Sequence, residues 1–183
     1  MAGRIQRAAK IRRMGNRLRI RRAARRDAAT LIGFNRAMAL ETEGKVLTPQ
    51  VIGAGVRHLL RHSELGFYLV AEAGGKAIAG LMITTEWSDW RNGELWWIQS
   101  VYVRPEYRRH GVYRRLYRHV QALAAGKRGV CGFRLYVEQG NRRAQATYRA
   151  SGMKRTHYLM YEHLKPGVRF YTAARTRSQR RTS

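Results

Sequence analysis

Apolar residues fall into short dense runs and helical stripes, and the two kinds alternate along the chain. Residues 66–72 and 77–86 are dense runs rich in aromatic and β-branched side chains, with Gly74-Gly75 between them. That pattern predicts two strands joined as a hairpin. Arg17-Leu18-Arg19-Ile20-Arg21-Arg22 alternates polar and apolar positions and predicts an earlier strand. Asp27 then predicts a cap for a helix reaching about Ala39, with Leu31, Ile32 and Phe34 among its apolar positions and Glu41-Thr42-Glu43-Gly44 as its break. Thr48-Pro49 is a cap followed by proline at the first helical position, opening a second helix to about Arg61. After a loop over residues 87–93, Trp96 to Val103 is the next apolar run. Val112, Leu116, Val120 and Leu123 recur at helical spacing, beside Tyr113 and Tyr117, and predict a helix facing the core. Cys131 to Val137 reads as a strand, Asn141 to Gly152 as a helix with good cap residues at both ends, and about Lys154 to Glu162 as a last strand.

The order is strand, two helices, three strands, helix, strand, helix, strand, with no internal repeat. It predicts one mixed α/β domain over residues 17–164. With 183 residues there is enough chain for a proper core and short extensions. No run approaches the length of a membrane helix, which argues against a membrane partner. Cys131, the single cysteine, excludes an intramolecular disulfide and fits a reducing, cytoplasmic setting; at a strand start it reads as a small buried thiol.

Charge changes the picture at the ends. Formal net charge is +26, and residues 1–26 hold 11 Lys and Arg with no acid, while residues 165–183 hold 6 with no acid. The stretch between them carries a net of +9. Residues 1–16 read as a basic arm in which Ile5, Ala8, Ala9 and Ile11 can line a short amphipathic helix; the alternative is a targeting segment. Residues 165–183, beginning near Pro166, read as a basic tail without regular structure. Such arms bind polyanions, so salt-sensitive, non-specific nucleic-acid binding is expected.

Candidate chemistry centres on residues 96–114. An apolar strand passes through Arg104-Pro105-Glu106 into a basic loop that opens directly into a helix. A helix N-terminus presents unpaired N–H groups and partial positive charge, which suits phosphate. Gly111 removes the side chain where a ligand approaches the backbone, and Arg108, Arg109 and Arg114 add charge. Further on, Asn141, Ala144 and Tyr148 share one face of their helix. His58 and His62 stand four apart, but no third ligand accompanies them, so no metal site is expected.

Val101-Tyr102-Val103 with Arg108-Arg109-His110-Gly111-Val112-Tyr113 resembles motif A of the GCN5-related N-acetyltransferase (GNAT) superfamily, Arg/Gln-x-x-Gly-x-Gly/Ala. Asn141 through Met153 is similar to its motif B. The resemblance implies a mostly antiparallel twisted sheet flanked by helices, with the fourth and fifth predicted strands splayed around acetyl-CoA. It places pantetheine contacts at Val101 and Val103, phosphate contacts at Arg108, Arg109, His110, Gly111, Val112, Tyr113 and Arg114, and a cofactor contact at Asn141. Tyr148 becomes the general acid for the CoA thiolate. Tyr113 departs from the small residue of the motif, so its side chain has to point away from the cofactor. The activity implied is transfer of an acetyl group to a primary amine, on a small molecule or a protein. Several relatives carry a glutamate where this chain has Gln99, which cannot accept a proton; Glu86 is then the candidate base, while Glu41 and Glu43 border the acceptor side in relatives. Trp87, Asp89 and Gln99 are candidate acceptor contacts, since aromatic faces attract an ammonium. Alternatively, Trp87 and Trp90 cover a sheet edge or a homodimer contact. A second reading keeps the fold as a basic nucleic-acid or ribosome-associated binding protein with weak or lost catalysis.

Overall fold

The computed structural model describes residues 18–174. Strand β1 (Arg19–Arg22) leads to helix α1 (Ala28–Glu43), strand β2 (Lys45–Leu47) and helix α2 (Pro49–Leu59). Strands β3 (Phe67–Ala73), β4 (Lys76–Ser88) and β5 (Gly93–Val103) follow. Helix α3 (Val112–Ala125), strand β6 (Val130–Arg134), helix α4 (Arg142–Ala150) and strand β7 (Tyr171–Ala173) complete the chain. The main sheet has the order β1-β3-β4-β5-β6, antiparallel throughout except for the parallel β5–β6 pair. This is the mixed α/β arrangement that the pattern predicts, mostly antiparallel as the resemblance implies. Gly74 and Gly75 both take positive φ at the β3–β4 turn, the conformation a two-residue hairpin needs.

Both faces of the sheet are covered. On one, Leu116, Val120, Val112 and Tyr117 of α3 pack on Leu69, Ala71, Leu81, Ile83, Trp96 and Ile98. On the other, Leu31 and Phe34 of α1 and Val56 of α2 pack on Tyr68, Val70 and Tyr102. Strand β3 is buried on both sides, which is why its sequence is a continuous apolar run rather than an alternating one.

The structure departs from the sequence pattern in several places. Helix α1 continues through Glu41-Thr42-Glu43 and stops at Gly44, whose φ of 62° supplies the left-handed turn. Neither Asp27 nor Thr48 makes the side-chain cap hydrogen bond expected of it. Strand β4 runs on through Trp87 and Ser88, so only a short turn is left of the predicted loop. Cys131 is exposed, its Sγ 3.3 Å from the Glu94 carbonyl oxygen, because it lies on the open outer edge of β6. Residues 154–162 form no strand and leave Tyr158, Leu159, Met160 and Tyr161 63–89% exposed; no strand of the sheet pairs with them, so β propensity alone does not order them. Instead, Tyr171–Ala173, within the expected tail, pairs antiparallel with Lys45–Leu47. The N-terminal arm, its amphipathic pattern and the last nine residues lie outside the described residues. No described helix is long and apolar enough to cross a membrane.

Asp27 has a different task from capping. Its carboxylate receives both terminal nitrogens of Arg21, at 2.7 and 2.9 Å, and the Ala24 N–H at 2.7 Å. Arg21 also donates to Glu72 of β3, so one guanidinium ties the first strand, the start of α1 and the sheet together. The hydrogen bonds from Arg21 hold the Asp27 carboxyl below the ordinary aspartate range. That stabilisation is complete above the unfolded value near pH 4 and is lost as pH falls through the lower native one. Asp27→Asn should therefore cost about 3 kcal/mol at neutral pH by leaving Arg21 half-paired. In urea unfolding the difference from wild type should shrink progressively on acidification.

Candidate active site

Strand β5 is the spine of the site. Along β4 it is paired for its whole length, but its pairing to β6 ends at Trp97↔Arg134. From Ile98 to Val103 the β6-facing edge therefore has no partner strand among the described residues, and apart from the Val103 carbonyl its backbone groups are open to a ligand. In the same segment Ser100 takes a φ of 50°, and Ser100 and Val101 together oppose Leu81. This bulge changes the side-chain alternation. Trp96 and Ile98 before it, and Val101 and Val103 after it, all face α3, whereas Tyr102 faces α1.

Past Val103 the chain makes a short turn at Pro105–Tyr107 and reaches α3 through Arg109 and Gly111, with φ of 67° and 72°. Among the described residues no backbone carbonyl accepts from the N–H groups of Arg109 through Arg114. A Cβ on Gly111 would approach only the Arg114 side chain, at 3.6 Å, so the mouth of this loop is open. Free amides, positive φ and a helix N-terminus together make an anion cradle, with Arg109, His110 and Arg114 exposed around it. The residues present fit a diphosphate. Tyr113 points into the core, stacked on Tyr117 and edge-on to Tyr148, which is how the loop accommodates a large residue there.

Arg108 is placed differently from the expectation. Its Nε donates to the Val103 carbonyl at 2.8 Å, and a terminal nitrogen donates to Glu41 of α1 at 2.6 Å. Glu41 also accepts from the Tyr102 hydroxyl at 3.0 Å. Arg108 thus fastens the cradle to the end of α1 instead of facing a phosphate. Asn141 caps α4, its Oδ1 accepting the Ala144 N–H at 3.0 Å. Two turns after Asn141, Tyr148 packs on the α3 side of the sheet, in the cluster containing Val101 and Val103. Desolvation holds its phenol above the usual tyrosine range.

On the opposite face Gln99 donates to Thr84 Oγ1 at 2.6 Å and accepts from the Tyr136 hydroxyl at 3.2 Å, spanning the gap between β5 and the segment after β6. Glu86 accepts from the Trp97 indole N–H and from Arg134 at 2.6 Å, at the last β5–β6 rung, where the two strands part. Trp87 and Asp89 are not brought to this place. They sit at the far end of the β4–β5 ladder, where Ser88 pairs with Gly93, six residues before Gln99. That is about 20 Å along the strand. Tyr136, Thr84, Trp97, Arg134 and the Glu41–Tyr102 pair are absent from the sequence reading of site contacts. No motif marks them, because strand register, the path of the chain after β6 and the packing of α1 on the sheet make them neighbours.

The model of the acetyltransferase (GNAT) family matches residues 31–153. A possible acetyltransferase from Clostridium difficile 630 is 42% identical, over 81% of this chain and 97% of its own, with a TM-score of 0.76. A predicted acetyltransferase from Clostridium acetobutylicum, solved with acetyl-CoA, is 16% identical over 80% of this chain and 96% of its own, with a TM-score of 0.67. An aminoglycoside N-acetyltransferase in complex with CoA is 16% identical over 81% and 95%, with a TM-score of 0.64. These last two share the fold. No curated protein matches the chain.

Glu41→Gln removes the charge that holds Arg108. The loosened cradle should bind CoA several-fold more weakly by titration calorimetry, with a melting temperature close to that of wild type.

Proposed function

The chain belongs to the acetyltransferase (GNAT) family, and from that premise we propose that it transfers the acetyl group of acetyl-CoA to a primary amine, with Tyr148 as the proton donor. The observation that carries this reading is the open edge of β5 leading without interruption into the anion cradle at the start of α3. The cradle amides and Arg109, His110 and Arg114 would hold the diphosphate, and the backbone beside Val101 and Val103 would hold the pantetheine arm. Bound acetyl-CoA supplies a thioester, an acyl donor with a thiolate leaving group.

The residues divide the remaining work between the two faces of β5. N–H groups on the unpaired edge donate to a carbonyl oxygen as it gains charge, and the fixed backbone needs no reorganisation to do so. Tyr148 holds its proton at the hydroxyl on the α3 side. Its raised pKa keeps it protonated through neutral and mildly alkaline pH, as a general acid requires. On the other face Gln99, fixed between Thr84 and Tyr136, orients the amine, supported by Trp97. Glu86 was the candidate base, but its carboxylate is engaged by Arg134 and Trp97, which favours a role in holding the fork between β5 and β6. The amine proton then leaves through water at Gln99.

Aminoglycoside acetylation by a protein of the same fold agrees with an amine acceptor. The competing reading, a nucleic-acid-binding protein without catalysis, does not require the cradle or Tyr148.

Thiol release from acetyl-CoA against a panel of amines tests the reading. Tyr148→Phe should lower kcat by one to two orders of magnitude, about 1.4–2.7 kcal/mol, with KM for acetyl-CoA within about twofold. Binding without turnover of any amine would leave the acceptor to be sought among macromolecules, and absence of binding would end the proposal. Glu86→Gln should lower the melting temperature while kcat/KM stays within about threefold of wild type; a fall of about two orders of magnitude in kcat in the folded variant would restore Glu86 as the base.

A further inference from the structure

Two hollows on the described surface lie away from the cradle, on the outer side of α2, and they share Arg57 and Arg61. The larger, about 480 Å³, is lined by Ala54, Gly55 and His58 as well; the smaller, about 140 Å³, adds Arg25, Ala28 and Leu60. Helix α2 packs on the sheet face opposite α3, so this surface is separate from the site proposed above.

Three guanidiniums meet here, and among the described residues none of them is paired with a carboxylate. The nearby acid in sequence, Glu64, bonds His62 at 2.8 Å, and His62 in turn stacks on His58. Among the described residues three arginines do have carboxylate partners: Arg21 with Asp27 and Glu72, Arg108 with Glu41, Arg134 with Glu86. Leaving three like charges together without a counter-ion costs free energy that a bound anion would offset.

Arg57 is also set in place. It lies one turn after Gly53, and the nearest atoms to a Cβ on Gly53 would be those of the Arg57 guanidinium, a terminal nitrogen at 2.9 Å first. The absent side chain lets the guanidinium fold back along the helix, so part of its ordering is already complete before a ligand arrives. Arg57 and Arg61 are one turn apart, about 6 Å. The walls carry no enclosing aromatic floor or row of acceptors that would read a base. An open surface of this kind, in which arginine heads stand among small and apolar residues and no acid is present, fits repeated phosphates.

We propose that the outer surface of α2, through Arg25, Arg57 and Arg61, binds the phosphodiester backbone of a single nucleic-acid strand, independently of the basic terminal arms. The site belongs to the folded domain and positions a strand on the face of the sheet opposite α3. Binding is set by charge and spacing, and is indifferent to base sequence.

The test uses the full chain and a fluorescein-labelled oligouridylate of about 15 nucleotides, followed by anisotropy across a potassium chloride series. Arg57→Ala with Arg61→Ala should weaken binding about tenfold at moderate salt and reduce the slope of log affinity against log salt by about 1.4. Lys154→Ala with Arg155→Ala, an equal charge change on another exposed segment, should weaken it by less than about threefold. Gly53→Ala raises helix propensity and so guards against a folding artefact, yet it displaces Arg57 and should weaken binding about threefold. Melting temperatures confirm that each variant is folded. Equal losses in the two double variants would overturn the proposal, since the arms and the overall field would then account for binding. Full affinity in both Gly53→Ala and the arginine double variant would overturn it as well. So would inorganic pyrophosphate that competes as well as the oligonucleotide at equal phosphate concentration.

Discussion

Backbone hydrogen bonding along β5 is the constraint on which the rest of the molecule depends. A buried strand needs partners on both edges, and β5 has them only as far as Trp97↔Arg134. Beyond that rung one edge is open while β4 continues to hold the other, so a rigid strand presents unused donors and acceptors to one side. The bulge at Ser100 then turns Val101 and Val103 toward α3 and Tyr102 toward α1. A uniform strand would have put these side chains on the wrong faces, and neither the Tyr148 side nor the Glu41 link would form as it does.

Scarcity of acid gives the carboxylates a structural role. The sequence has 11 acids against 37 basic residues, and several of the acids sit where an arginine joins two elements. Asp27 and Glu72 take Arg21 at the start of the sheet, Glu86 takes Arg134 at the fork, and Glu41 takes Arg108 beneath the cradle. Each pair is at least partly shielded from solvent, where a charge-assisted bond between distant segments has more effect than an exposed ion pair. The consequence for chemistry is that a carboxylate near the site is already occupied, which separates the question of acceptor binding from that of proton removal.

Elements whose identity is local were readable from the sequence. The hairpin at Gly74-Gly75, the stripe of α3, the capped helix at Asn141 and the glycine-mouthed loop at Gly111 each depend on residues within a few positions of one another. Tyr113, a large residue where the resemblance has a small one, is expected to point away from the cofactor, and it packs against Tyr117 and Tyr148. Elements that depend on a distant partner were misread. Residues 154–162 have the pattern of a strand but no edge to join, and Tyr171–Ala173 have an unremarkable composition but find one in β2. Cys131 at a strand start reads as a small buried thiol, but it is exposed, because β6 is the edge strand of the sheet.

The sequence by itself determined the order and kind of most elements, the anion cradle, and the presence of Tyr148 on a capped helix, since these rest on periodicity and backbone preference within single segments. Tertiary structure alone decided that Arg108 serves Glu41, that Glu86 closes the fork with Trp97 and Arg134, that Tyr136 reaches Gln99, and that Trp87 and Asp89 stand far from it. Register and strand order set the Glu86 contacts and the distance of Trp87 and Asp89, while the packing of α1 and the path of the chain after β6 bring Glu41 and Tyr136 to their partners; all are relations between distant segments.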